Sequence, residues 1–326
     1  MPAVYAAALA ADAPTRWAWM GLRFDAPASW AASRHDVRAE AGRLVLVDRR
    51  RQRLQMTWSR LPPGARPPDP AALAADWRKR IEAAAGADPP PLTPLTTWLP
   101  PEPTEAPDGA PIAWAGWCGP GGGGLGTRTD AVAAVGGRLI DLVQLDPPPG
   151  PGRAARRPGA PSAQALALLG SAAPAAGPGG ACRWTGLGLD ARLPGGWSAA
   201  LARHEPAASV LAFAGPDRLT ARFWRRGMAA AWFDGDAVAL LDASTPAGVR
   251  AEPGGRPGSA VAAGPEPCRP WPRLQGRARR RRDLLWHDAE ANTVRGVTVR
   301  GPRRASLPDP ASFLPGPAAG PPVPVG

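Results

Sequence analysis

The sequence predicts an α+β protein made of two related domains, each a mainly antiparallel sheet covered by one or two helices. Three observations carry that expectation. Rare residues recur at a single offset of 167 positions: Arg16-Trp17 as Arg183-Trp184, Gly21-Leu22 as Gly188-Leu189, Pro27 as Pro194 and Trp30 as Trp197. Short alternating apolar segments bounded by Gly, Pro and Asp read as strands in both copies. One segment of the first copy carries a full set of helix start and stop signals. A length of 326 residues suits two domains of ordinary size.

Composition narrows the class further. The 44 Pro and 39 Gly show no three-residue period, which excludes collagen, and the proline density excludes a coiled coil. No stretch approaches the ~18 apolar residues of a membrane span. With 14 Trp and 5 Phe, the chain holds too many large apolar groups to stay unfolded. Lys79 is the only lysine among 39 basic residues, a skew that points to a GC-rich coding sequence. Cys118, Cys182 and Cys268 form no C-x-x-C pair and no framework, which suits a reducing compartment, so a cytoplasmic location is expected.

Taken in order, residues 1–15 read as a disordered N-terminus. They have an apolar middle and an A-x-A-like end but no basic n-region. The first domain, 16–170, opens with a strand at 22–25 and a Pro-x-x-Trp turn that folds Trp30 back as a core anchor. A hairpin follows, 43–47 and 53–58 about the polar run 48–52, with Leu54, Met56 and Trp58 on one face. Asp69 caps a helix with Pro70 at N1 and Gly86 after its end; Leu73, Trp77, Ile81 and Ala84 make its apolar stripe. Three strands come next, at 111–117, 129–135 and 139–145, the last two joined at Gly136-Gly137. A helix over 162–169, stopped by Gly170, closes the copy.

Residues 171–182 read as a linker with nothing to bury. The second domain, 183–301, repeats the strand at 187–191, the Pro-x-x-Trp turn, and a hairpin of 210–213 and 218–223 about Gly215-Pro216-Asp217. Residues 237–241 fit a helix remnant or a strand equally. Strands at 283–287 and 293–300 match the late hairpin of the first copy, with Asp130 answering Asp283 and Trp114 answering Trp271. Residues 302–326 form a Pro-rich, disordered tail from which only Phe313-Leu314 docks.

The order of elements in residues 22–169, above all the segments 22–30 and 43–58, resembles the PsbP-like α/β/α sandwich superfamily, and 187–300 repeats it in diverged form. The resemblance implies accessory work: members mostly bind or organise larger complexes and share no active site. No functional residue carries over. The absence of a lipoprotein signal and the doubled arrangement depart from the family pattern.

Little in the chain points to catalysis. The run 121–126 (GGGGLG) satisfies G-x-G-x-x-G, but a strand follows it where a dinucleotide fold needs a helix, so it reads as a hairpin loop. No Walker lysine, H-E-x-x-H or G-x-S-x-G occurs. His35 and His204 are repeat-equivalent and read as surface groups beside an arginine and an acid. His287 begins a polar cluster that reads as a hairpin turn leading to Asn292, and nothing near Cys118 in sequence activates its thiol. The expectation is a protein that is not an enzyme, with no cofactor and no metal.

Charge is the exception. Of a formal net charge of +12, eight units fall within 269–304, where 11 Arg face Asp283, Asp288 and Glu290. The candidate binding patch is therefore Arg273, Arg277, Arg279, Arg280, Arg281 and Arg282, with Trp271 and Trp286 for stacking. Its alternative is an arginine-rich edge strand that wards off sheet-to-sheet pairing. The function expected is non-catalytic binding or assembly with a protein partner, an acidic one if the patch is used. Electrostatic nucleic-acid binding through 269–304 is the second reading.

Overall fold

A computed structural model describes residues 14–314 apart from 39, 50, 67, 86–91, 96–111, 113, 121–126, 148–159, 176–180, 247–248 and 267–278. The side chains of Trp77, Ile81 and Ala84, on which the expected helical stripe depends, also lie outside the described part. The chain divides into two compact units, Met1–Gly177 and Pro178–Gly326.

In the first unit, β1 (Pro14–Trp19) and β2 (Leu22–Pro27) form a hairpin whose turn places Met20 and Gly21 at positive φ. Trp30 donates its backbone N–H to the Pro27 carbonyl at 3.0 Å, which closes the Pro-x-x-Trp turn and buries the indole. The chain continues through β3 (Ala31–His35), β4 (Ala41–Val47) and β5 (Gln52–Arg60) into α1 (Pro70–Ala85). Asp69 caps α1 by accepting from the Ala71 N–H at 3.1 Å. Then come β6 (Thr93–Pro94), β7 (Ala115–Pro120), β8 (Thr127–Val135) and β9 (Arg138–Leu145). Gly136 and Gly137, both at positive φ, make the two-residue turn between β8 and β9. Next, α2 (Ala163–Ser171) is capped by the Ser162 hydroxyl, and β10 (Ala173–Pro174) pairs with β2.

The main sheet of this unit is antiparallel throughout, in the order β3-β4-β5-β9-β8-β7-β6. The register sets His35, Leu44, Met56, Leu142 and Ala131 side by side in one row across it. Leu44, Leu46, Leu54, Met56 and Ile140 are fully buried.

The second unit repeats this order. A hairpin of β11 (Cys182–Gly186) and β12 (Leu189–Leu193) leads to β13 (Ser198–Glu205), β14 (Ala208–Ala214) and β15 (Thr220–Gly227). In the slot that α1 fills, α3 (Ala237–Ser244) is capped by Asp236, which settles the open reading of 237–241 as helix. The strands β16 (Ala251–Pro253), β17 (Ser259–Pro265), β18 (Arg279–Asp288) and β19 (Thr293–Pro302) complete a sheet ordered β13-β14-β15-β19-β18-β17-β16. Strand for strand this is the order of the first unit. Trp184 answers Trp17, both buried. Trp197 answers Trp30 in chain order but stays half-exposed, its ring against Phe313 at 5.2 Å. Both edge strands carry a break in register at the same place, between Ala32 and Arg34 in β3 and between Ala199 and Leu201 in β13.

Several expectations are corrected. The molecule is mostly antiparallel β, with 53% strand and 16% helix, and not an α+β fold of helix-covered sheets. The helices are few and short: α1 packs on β7 and β8, α2 on β2, and α3 on β16, β17 and β18. Residues 171–182 do more than link, since Ala173 is buried and the Ser171 hydroxyl accepts from the Asp25 N–H at 2.9 Å. β1 starts at Pro14, inside the stretch read as disordered. The tail docks further than expected: Leu307 is buried, and a 3-10 turn at Pro310–Phe313 puts Phe313 at zero exposure against Phe223. Trp271 lies outside the described residues, and it falls after β17 in the chain whereas Trp114 precedes β7, so the two are not counterparts in order.

Candidate functional site

The arginine run begins β18, and alternation along a strand splits it. Arg279 and Arg281 share one face, Arg280 and Arg282 the other. The strand is not an edge, because β19 and β17 flank it, so the edge-guard alternative is also overturned. Arg281 is largely buried and clamps Asp283 with two hydrogen bonds of 2.6 Å, while Thr298 donates its hydroxyl to the same carboxylate at 2.7 Å. Arg279 and Arg300 flank Glu266 at 3.8 and 3.3 Å. Arg282 donates to the Leu307 carbonyl at 3.0 Å, and Arg280 is exposed. Much of the run therefore holds the fold together. Arg273, Arg277 and Trp271 lie outside the described residues.

The register gathers further arginines at this end of the sheet. Thr220, Arg300 and Arg281 are directly opposite one another, Arg222 stands two residues along β15, and Arg218 gives its carbonyl to Arg279. With Arg303 and Arg304 in the turn after β19, nine arginines (218, 222, 279–282, 300, 303 and 304) stand here against four acids among the described residues, Asp217, Glu266, Asp283 and Asp309, a net excess of five positive charges. Sequence reasoning found the 269–304 part of this cluster but missed Arg218 and Arg222, which reach it only through strand pairing.

Trp286 does not belong with them. It lies five residues beyond Arg281, ~17 Å along an extended strand and on the other face. There it opposes Arg295 of β19 and Ser259 of β17. The same row runs on through Arg225, Ser209 and His204, which are paired in that order across β15, β14 and β13. His204 Nδ1 and the Ser209 hydroxyl lie 2.8 Å apart. Arg295 binds Asp288 at 2.8 Å. The Arg225 Nε is buried and has no hydrogen-bond partner among the described residues, and burial, with Arg295 opposite, pulls the guanidinium pKa down.

A third polar group lies inside the first unit. Cys118, Thr129, Gln144 and Asp146 share one face at the ends of β7, β8 and β9, and all are buried. The Cys118 sulfur is 3.6 Å from the Thr129 hydroxyl, and Gln144 Nε2 donates to Asp146 at 3.3 Å. Burial, then the charges of Asp146 and Asp130, push the thiol up to about 11, so it stays protonated at neutral pH and is a poor nucleophile. On the opposite face, Asp130 accepts from Arg128 Nε at 2.7 Å, the same Arg-x-Asp spacing that Arg281 and Asp283 show on the corresponding strand.

His35 and His204 sit on the edge strands β3 and β13, not in turns; His35 meets Trp19 edge-on at 6.3 Å. His287 packs on Phe233 at 4.9 Å, and the residues after it form the turn that ends at Asn292, as read from the sequence. The run 121–126 lies outside the described residues; the strands on either side of it, β7 and β8, pair antiparallel. Among the described residues no three His, Cys, Asp or Glu gather to hold a metal ion, and no helix is long and apolar enough to cross a membrane. No family model, no curated protein and no solved structure matches the chain.

Proposed function

We propose that the protein is a non-catalytic binding and assembly accessory factor that receives an acidic protein surface at the arginine-bearing end of its second unit. The observation that supports this is the excess of five positive charges there, built from three separate segments by strand pairing. Arg222, Arg280, Arg303 and Arg304 are exposed, so their charges reach solvent and attract an anionic partner over about a Debye length, ~8 Å at physiological salt. The PsbP-like resemblance implies the same kind of work, and a cytoplasmic location remains part of the reading.

Fluorescence anisotropy with labelled poly-glutamate, double-stranded DNA and single-stranded RNA, each at ~50 and ~200 mM salt, tests it. Expected is poly-glutamate binding that weakens with salt and drops at least fivefold in R222A/R280A/R304A. Binding of DNA or RNA in preference to poly-glutamate, lost on the same substitutions, transfers the site to nucleic acid. No binding of any probe at the lower salt overturns the reading.

A further inference from the structure

The two units share one strand order, so each is a control for the other. Across the first sheet the row through His35 continues Leu44, Met56, Leu142, Ala131, and the four after the histidine are buried. Across the second sheet the row through His204, the repeat counterpart of His35, continues Ser209, Arg225, Arg295, Trp286. An apolar core row of one copy has become a hydroxyl, two guanidiniums and an indole in the other.

The change is costly to the fold. Arg225 and Arg295 are directly opposed across antiparallel strands, where like charges destabilise. Arg295 has one counter-charge, Asp288; Arg225 has no ion pair or hydrogen bond among the described residues, and its Nε is buried. A buried donor without an acceptor carries its full desolvation penalty. The β11–β12 turn is shaped to this guanidinium: Gly188, at φ +69°, lies against Arg225, and a Cβ there would collide with it. Natural chains break local rules of this kind chiefly where function requires it. What the row lacks is an acceptor with negative charge and more than one oxygen, which a guanidinium fork binds in bidentate fashion.

We propose that Arg225 and Arg295, with the half-buried Trp286 as an apolar wall, form a site in the second unit for the carboxylate or phosphate group of a small ligand. Arg225 supplies a guanidinium with no counter-charge among the described residues and Arg295 the second charge; Ser209 stands next in the row as a hydroxyl donor. The site lies further along the sheet from the arginine cluster assigned to an acidic protein, on the face that Arg280 and Arg282 share and that Arg222 and Arg281 do not, so the Arg225 and Arg222 variants separate the two.

Calorimetric titration of the full chain with inorganic phosphate, acetate and phenyl phosphate, against chloride at matched ionic strength, tests the proposal. Expected is saturable binding of one anion per chain, with phosphate and acetate separating the two chemistries. It weakens at least tenfold in Arg225→Met and Arg295→Leu, which restore the residues of the first unit, and is unchanged in Arg222→Ala. Trp286→Ala weakens phenyl phosphate more than inorganic phosphate. Without anion, Arg225→Met melts no lower than the wild type, whereas an arginine kept for structure alone would leave a less stable protein. Should the methionine variant not fold, Arg225→Gln takes its place in the titration. Absence of saturable anion binding in the wild type, or equal binding after Arg225 is replaced, overturns the site.

Discussion

Asp130 is 4% exposed, and burial outweighs the help of Arg128, raising its carboxyl from 3.8 to about 6. A raised acid binds its proton more tightly in the folded chain than in the unfolded one. Stability therefore falls as pH climbs from about 4 to about 6, by up to ~3 kcal/mol, and levels off above. Urea unfolding of the wild type and Asp130→Asn across that range measures it: the difference between them should change with pH below 6 and be flat above. Cys118 gives a second test at this scale. Its thiol is buried and raised to about 11, while Cys182 is half-exposed. Iodoacetamide at pH 8 should label Cys182 in the native protein and leave Cys118 unmodified until denaturant is added, as peptide mass spectrometry would show. Labelling of both at equal rates refutes the assigned burial.

Elements were legible where their signals are local. The Asp69-Pro70 start of α1, the Ser162 cap of α2, the Gly136-Gly137 turn and the alternation of Leu54, Met56 and Trp58 all lie within a few residues of what they specify. The strands β1, β3 and β13 were missed for the opposite reason. β13, SAALARHE, is an edge strand with little apolar alternation, and pairing with β14 is what makes it a strand. The helix cover was overestimated because each sheet was expected to lie under one or two helices, while the second copy offered only the ambiguous 237–241. In the second copy, Asp236 accepts from the Val238 and Ala239 N–H groups at 2.9 Å. Asp236→Ala should cost about 1 kcal/mol in thermal or urea unfolding. Phe313 closes the same unit against Trp197 and Phe223. Phe313→Ala should cost ~3–5 kcal/mol, and truncation before Pro310 at least as much. A truncated chain that unfolds like the wild type would show the tail to be dispensable.

At the scale of the molecule, the duplication was readable because tryptophan is rare and its spacing survived in the opening turns of both copies. The candidate sites were not, since both depend on register. The row of His204, Ser209, Arg225, Trp286 and Arg295 comes from five strands separated by turns of unequal length. One clue was present in the repeat of His35 as His204, which marks the start of both rows. The arginine run was visible but misjudged: strand alternation divides it between two faces, and its partners on β15 and in the turn after β19 are distant in sequence. Divergence between the copies has thus gone into charge and left the strand order unchanged. Rewriting the second row as S209L/R225M/R295L should raise the melting temperature by several degrees, read by calorimetry, in line with the ~2–4 °C per kcal/mol expected at this size.

The matching interruptions in β3 and β13 bear on how so strand-rich a chain keeps to itself in a crowded solution. An incoming strand would seek an unbroken line of amide and carbonyl groups, and at Ser33 and Ala200 that line loses its spacing and bends away. Each unit thereby closes its longest open border to fibril growth using a single extra residue, with no need of a covering helix.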